Sequence, residues 1–314
     1  MFRSLMMAAT AATLVACGPR YAARGPLEPD DLQSPLPVRH TVVDGIDLAY
    51  IDSGGDKPPL VFIHGLSSYM GFWEYQVPAF TDTHRVLALD LPGYGASSKP
   101  DAPYTPPWFA DVVSNWLGAI GVDQPAVIAG HSMGGQIAVH LALRHPARVD
   151  KLVLAAPAGF ERFSPGAQKY MRDYWTETRA TEASEENVRA NMMAMVFNRH
   201  DAGVERFIEE RVRWGQSPSF KGTSVAVSRS VAGMMDNLVL DLARGVRTPT
   251  LIVYGTDDKM IPNPVFNGGR TSEIARAAQA AIPGSKLVLI PNAGHTVHHD
   301  DPSAFNRAVE EFLR

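Results

Sequence analysis

Six short apolar runs, at 60–63, 86–89, 126–129, 152–155, 250–254 and 286–290, constrain this chain more than any other feature. Runs of four or five residues that are apolar at nearly every position suit strands covered on both faces. Helical candidates at 108–117 and 136–144 fall between them, so the alternation predicts an α/β fold with a mostly parallel sheet flanked by helices. Ahead of the runs, Thr41-Val42-Val43 leads through Asp44-Gly45 into 46–51, a hairpin signal. No internal repeat is visible.

The chain has 314 residues, 45% of them hydrophobic and 20% charged, enough for a sizeable core. Its formal charge is −4 and no Lys/Arg block stands out, so nucleic acid and an electrostatic membrane patch are both disfavoured as partners and a small molecule is favoured. The single cysteine, Cys17, excludes an intrachain disulfide and a cysteine-based metal site.

The N-terminus has the layout of a secretory signal: one positive charge in 1–3, an apolar run at 5–15, then small residues. The run is too short to remain as a membrane-spanning helix. Leu14-Val15-Ala16-Cys17 resembles the lipobox of bacterial lipoproteins, which implies a signal peptide at 1–16 and a lipidated Cys17. Prolines 19, 26, 29, 35 and 37 make 17–38 read as a flexible stalk. The resemblance implies a lipid-anchored protein of the cell envelope. By the same resemblance, Gly18 in place of Asp after the cysteine implies the outer membrane facing the periplasm of a Gram-negative cell, with the inner membrane and the cell surface as alternatives.

Folded sequence is expected at 39–159 and again at 238–314, with a helical cap at 160–237 between them. In the cap, Val188, Met192, Met195 and Val196 fall at helical spacing and Ser184 is placed to cap a helix. Six of the twelve methionines lie there, suited to an adaptable apolar pocket, although apolar helix faces are more often plain core.

The stretch Gly130-His131-Ser132-Met133-Gly134 follows a run and precedes a helical candidate, as a nucleophile elbow requires. The turn would raise Ser132 Oγ above the sheet and leave the Met133 N–H free at a helix start, where an oxyanion could sit. A serine nucleophile needs a base and the base an acid, here expected in the order Ser, Asp/Glu, His. The loop "GTDDKMIP" after the fifth run offers Asp257 and Asp258, and "PNAGH" after the sixth ends at His295.

With "VFIHGLSSYMGFW", "LALDLPGYGASS", "GHSMGGQIA", "TLIVYGTDD" and "PNAGHTVHHDDPSAFNRAVEEFL", the chain resembles the α/β-hydrolase superfamily from about residue 40 onward, specifically its capped serine esterase and lipase-like branch. The resemblance selects Asp258 over Asp257, since the acid usually stands three residues after the glycine of "YG". It also makes Leu66, after His64-Gly65, the second oxyanion donor beside Met133. It implies a Ser132-Asp258-His295 triad that cleaves carboxylic esters, of small molecules or lipids, through an acyl-enzyme, with no metal or organic cofactor. Epoxide hydrolases and haloalkane dehalogenases of this fold carry Asp at the nucleophile position, which Ser132 is not. Many carbon-carbon bond hydrolases carry Trp after the histidine, where this chain has Thr296. Carbon-carbon bond hydrolases, which keep the Ser-His-Asp triad, remain an alternative together with perhydrolase and transacylase activity, and the complete triad speaks against a non-catalytic lipoprotein. Asp257, His131, His298 and His299 are read as structural or solvated.

Overall fold

A computed structural model describes residues 21–181 and 184–314. The signal segment and Cys17 lie outside the described residues. Asp44 and Gly45 take φ of 52° and 78°, so both central residues of the turn are left-handed, as a tight two-residue hairpin needs. They join β1 (Arg39–Val43) to β2 (Ile46–Asp52). Each of the six runs then becomes a strand: β3 (Pro59–Ile63), β4 (Arg85–Leu89), β5 (Ala126–His131), β6 (Val149–Ala155), β7 (Thr250–Gly255) and β8 (Lys286–Ile290).

The eight strands form one sheet in the order β1-β2-β4-β3-β5-β6-β7-β8. The β1–β2 and β2–β4 pairings are antiparallel and all later ones parallel. Strands β3, β5 and β7 are buried at every residue, which is why their sequences lack a polar alternation. Their side chains still alternate between two cores. Val61, Ile63 and Ile128 pack with Phe109, Ile137 and Ala275 from helices Pro106–Ala119, Met133–Arg144 and Thr271–Ala281. Leu60, Phe62 and Val127 pack on the other face with Trp73, Phe80 and Phe305. The helix expected at 108–117 starts earlier because Thr105 Oγ1 accepts the Trp108 N–H at 3.4 Å and Pro106 opens the first turn, where its missing N–H costs nothing.

Between β6 and β7 the chain forms a helical cap: Pro165–Tyr174, Glu177–Thr181, Glu185–Asn191, Ala202–Trp214 and Phe220–Asp236, with one π turn at Met192–Val196. Ser184 caps as expected, its Oγ accepting the Asn187 N–H at 3.2 Å. Three of the cap methionines are buried in the cores: Met192 lies in one with Val188, Phe197 and Phe207, and Met234 and Met235 lie in the other.

Residues 21–38, read from composition as a stalk, do not project from the domain but lie across the cap. The Tyr21 and Ala22 N–H groups donate to the Glu185 carboxylate at 3.0 Å each, and the Tyr21 hydroxyl donates to Glu205 at 2.5 Å. The Leu27 N–H donates to the Arg213 carbonyl, and Gln33 N–H to Glu210 Oε1. Tyr21 and Leu32 are buried in the same core as Val204 and Phe207. Proline-rich composition signals the absence of a helix or strand; it does not signal the absence of docking partners that lie more than 160 positions away.

Candidate active site

Ser132 sits between the end of β5 and helix Met133–Arg144 at φ 53°, ψ −114°, a conformation that costs an ordinary L-residue free energy and has to be imposed by its surroundings. They impose it through both hydrogen bonds and space. Ser132 N–H donates to the Ala155 carbonyl at 3.0 Å, and the Ser132 carbonyl accepts from Gln136 and Ala158. A Cβ on Gly130 would fall 2.2 Å from the Gly134 carbonyl oxygen, and one on Gly134 would fall 2.3 Å from that of Ile63. Two glycines therefore flank the serine because backbones pass where a side chain would stand.

His295 follows β8 and Asp258 follows β7, so both reach the site from loops at the carboxyl ends of strands. The Ser132 hydroxyl donates to His295 Nε2 at 3.0 Å, and His295 Nδ1–H donates to Asp258 Oδ2 at 2.9 Å. The other carboxylate oxygen of Asp258 accepts the N–H groups of Met260 at 2.8 Å and Ile261 at 3.0 Å. These bonds fix the tautomer: with the proton on Nδ1, Nε2 is left as the acceptor. The Asp258 side chain is 0% exposed and that of His295 is 4% exposed. Asp257 is exposed, and its carboxylate accepts from Thr256 Oγ1 rather than from the histidine.

The loop after β3 approaches the serine directly, since a Cβ on Gly65 would lie 3.3 Å from Ser132 Cβ. Leu66 is partly buried beside it, and Met133 opens the helix. Among the described residues neither backbone N–H has an acceptor, so both remain available to a ligand oxygen. The loop is held by His64, a residue whose role the sequence alone did not separate from its motif. Its Nδ1–H donates to the Gly65 carbonyl at 2.8 Å while Nε2 accepts the Leu91 N–H at 3.0 Å. Burial holds its imidazole down to about 4, so the ring is neutral. Asp90 does the same work one loop over, accepting from Met70 and Ala96, and burial pushes its carboxyl up to about 6.

His131 and His298 pack in line with His295, with ring centroids at 4.9 Å from His295 to His131 and 4.7 Å from His131 to His298. Burial, reinforced by neighbouring histidines, holds both well below the usual histidine range. His131 Nε2–H donates to the His295 carbonyl at 3.1 Å, and His298 stacks on Trp73. His299 reaches Asp201 of the cap at 3.3 Å.

The cap is stitched to this loop as well. Asp300 accepts the N–H groups of Asn198, Arg199 and Gly294, and Gln136, one turn beyond Ser132, donates to the carbonyls of Met234 and Asn237 at the end of the last cap helix. Among the described residues no group of three metal-ligating side chains is assembled, and no helix is long and apolar enough to cross a membrane.

Known proteins share this arrangement of chain. An uncharacterized hydrolase of Bacillus subtilis is 26% identical over 297 residues, covering 90% of this chain and 100% of that one. The structure of a probable hydrolytic enzyme from Pseudomonas aeruginosa superposes with a TM-score of 0.83 at 24% identity, covering 94% of this chain and all of the other. A thermophilic esterase from Thermogutta terrifontis superposes with a TM-score of 0.69 at 25% identity, covering 88% and 97% of the two chains. The sequence matches the alpha/beta hydrolase fold family over residues 58–302, the span that runs from β3 to the last helix and holds the serine, the acid and the histidine. With a mostly parallel eight-stranded sheet and a serine at its central turn, the chain belongs to the α/β-hydrolase family.

Proposed function

We propose that the chain is a serine hydrolase of carboxylic esters. The observation that carries the reading is the continuous hydrogen-bonded series from Ser132 Oγ through His295 to Asp258, at 3.0 and 2.9 Å, in a buried setting. In this mechanism Ser132 Oγ attacks the acyl carbonyl while its proton passes to His295 Nε2. Asp258 pairs with the resulting imidazolium, and the N–H groups of Leu66 and Met133 receive the oxyanion. Collapse expels the alcohol, which takes the proton from His295. Water then attacks the acyl-enzyme with His295 as base, releasing the acid and restoring Ser132. The likeness to an esterase supports an ester as substrate. Hydrolysis of p-nitrophenyl esters from acetate to palmitate, compared with Ser132→Ala, tests this. Serine-dependent turnover is expected, and a folded protein with no turnover across the series would overturn it.

We also propose that Cys17 carries lipid and tethers the enzyme in the cell envelope, a reading supported by Leu14-Val15-Ala16-Cys17. Incorporation of labelled palmitate that disappears in Cys17→Ser is the expected result.

A further inference from the structure

One buried carboxylate near the site has no part in that mechanism. Glu161 lies in the segment that leaves β6 for the cap, is only 5% exposed, and among the described residues forms no ion pair. Its Oε1 accepts the Asn263 N–H at 2.6 Å and the Asn267 side-chain amide at 2.9 Å. Both asparagines belong to the loop that carries Asp258 from β7 to helix Thr271–Ala281. Only Pro262 separates Asn263 from Ile261, whose N–H is bonded to the Asp258 carboxylate. On its other flank this loop is held by Thr271 Oγ1, which donates to the carbonyls of Asp258 and Ile261.

A neutral amide could anchor the same loop without the cost of burying a charge, so an acid here asks for a compensating cation. Burial raises the Glu161 carboxyl above its ordinary range, its two hydrogen bonds oppose that, Asp258 adds to the rise and His295 counters it. Burial, with the charges of Asp258 and Glu161, holds the Tyr254 phenol well above its ordinary range. Around His295 the other titratable groups are Asp258, His131 and His298. Burial holds both of those histidines well below the usual histidine range, so among these rings His295 is the one whose charge changes in the proposed reaction.

We propose that Glu161 is a positioning residue: hydrogen-bonded to Asn263 and Asn267, it holds the Asp258 loop in register and keeps a negative charge on the flank of the Asp258–His295 pair. This rests on the serine-hydrolase reading for its kinetic consequence, though not for its effect on the imidazole.

The test uses the full chain and the variants Glu161→Gln and Glu161→Ala, with kcat and KM for p-nitrophenyl butyrate measured from pH 5 to 9 per titrated active site. Gln keeps an acceptor oxygen and loses the charge. Its acid limb in kcat/KM is expected to move down by about 0.5–1 pH unit, because an imidazole that loses a nearby anion protonates less readily. Ala also frees the loop, and kcat is expected to fall about 10- to 100-fold with KM within about 2-fold. A second readout needs no substrate: the pH titration of the downfield His295 Nδ1–H proton resonance in wild type and Glu161→Gln. A wild-type enzyme that turns over no ester but whose His295 titration shifts in the variant overturns the esterase reading and sustains this one. An unchanged titration and pH limb in Glu161→Gln overturns the proposal, even where Glu161→Ala fails to fold.

Discussion

Thr296, the residue after His295, donates twice to the carbonyl of Val196 in the cap, from its N–H at 3.1 Å and from its hydroxyl at 2.9 Å. The cap's π turn and the histidine loop are thus one hydrogen-bonded unit, reinforced four residues on by Asp300. Thr296→Val keeps shape and the backbone bond but loses the hydroxyl, so a stability loss of about 1 kcal/mol is expected. Asp300→Asn weakens three N–H contacts at once and is expected to cost about 1–3 kcal/mol. Urea unfolding checks both, and amide exchange across 192–199 should quicken in each variant.

Ser132→Ala is expected to lower kcat/KM at least about 10³-fold while leaving the melting temperature near that of the wild type. Asp258→Asn should cost about 10³- to 10⁴-fold, because an amide there no longer holds the proton on His295 Nδ1. Steady-state kinetics with a p-nitrophenyl ester reads both.

Gly134→Ala places a Cβ against the Ile63 and His64 carbonyls, at 2.3 and 2.6 Å. Backbone cannot yield there as a flexible side chain would, so the elbow has to open. A drop in melting temperature of several degrees together with at least about a 10-fold loss of turnover is expected. Circular dichroism and the ester assay report the two effects separately.

Acidification should destabilise the fold. His64 titrates near 4 when folded against 6.5 for the free side chain. Between those values the unfolded chain binds a proton that the native ring excludes, so stability is complete above about 6.5 and declines as pH falls toward 4. His64 alone contributes a slope of about 1.4 kcal/mol per pH unit in that window. His131 and His298 act in the same direction. Asp90, raised to about 6, works against this trend, because its protonated form suits the folded state. Unfolding free energies at pH 7 and 5 check the net sign: a clear loss at pH 5 is expected, and equal values would contradict neutral burial of these rings.

A shortened chain beginning at Pro37 should be less stable than one beginning just ahead of Tyr21. It lacks the buried Tyr21 and Leu32 and removes the donors that Tyr21, Ala22 and Gln33 supply to Glu185, Glu205 and Glu210. A lower melting temperature, with faster proteolysis of the cap, is the expected result.

What the sequence made legible follows from how local each signal is. The strands are visible because double-sided burial demands consecutive apolar residues, and the Ser132 elbow is visible because steric crowding demands glycine at fixed offsets. Family likeness singled out Asp258, and the fold explains why its neighbour differs: the exposed Asp257 carboxylate accepts from Thr256 at the surface. Glu161 was not legible. Its partners are 102 and 106 positions away, and nothing in "GFERF" distinguishes it from a surface acid. The same holds for 21–38, whose hydrogen bonds span up to 194 positions, and for His64, whose two bonds give the loop after β3 its shape without leaving a pattern.

The segment across the cap also sets a reach. Cys17 precedes Tyr21 by four positions, and four residues at full extension span about 14 Å. A twenty-residue leash would let the enzyme sweep well clear of whatever holds its end. Because Tyr21 is fastened to the cap, any attachment at Cys17 would keep the cap side within about 14 Å of the surface and restrict the angles from which a substrate can arrive.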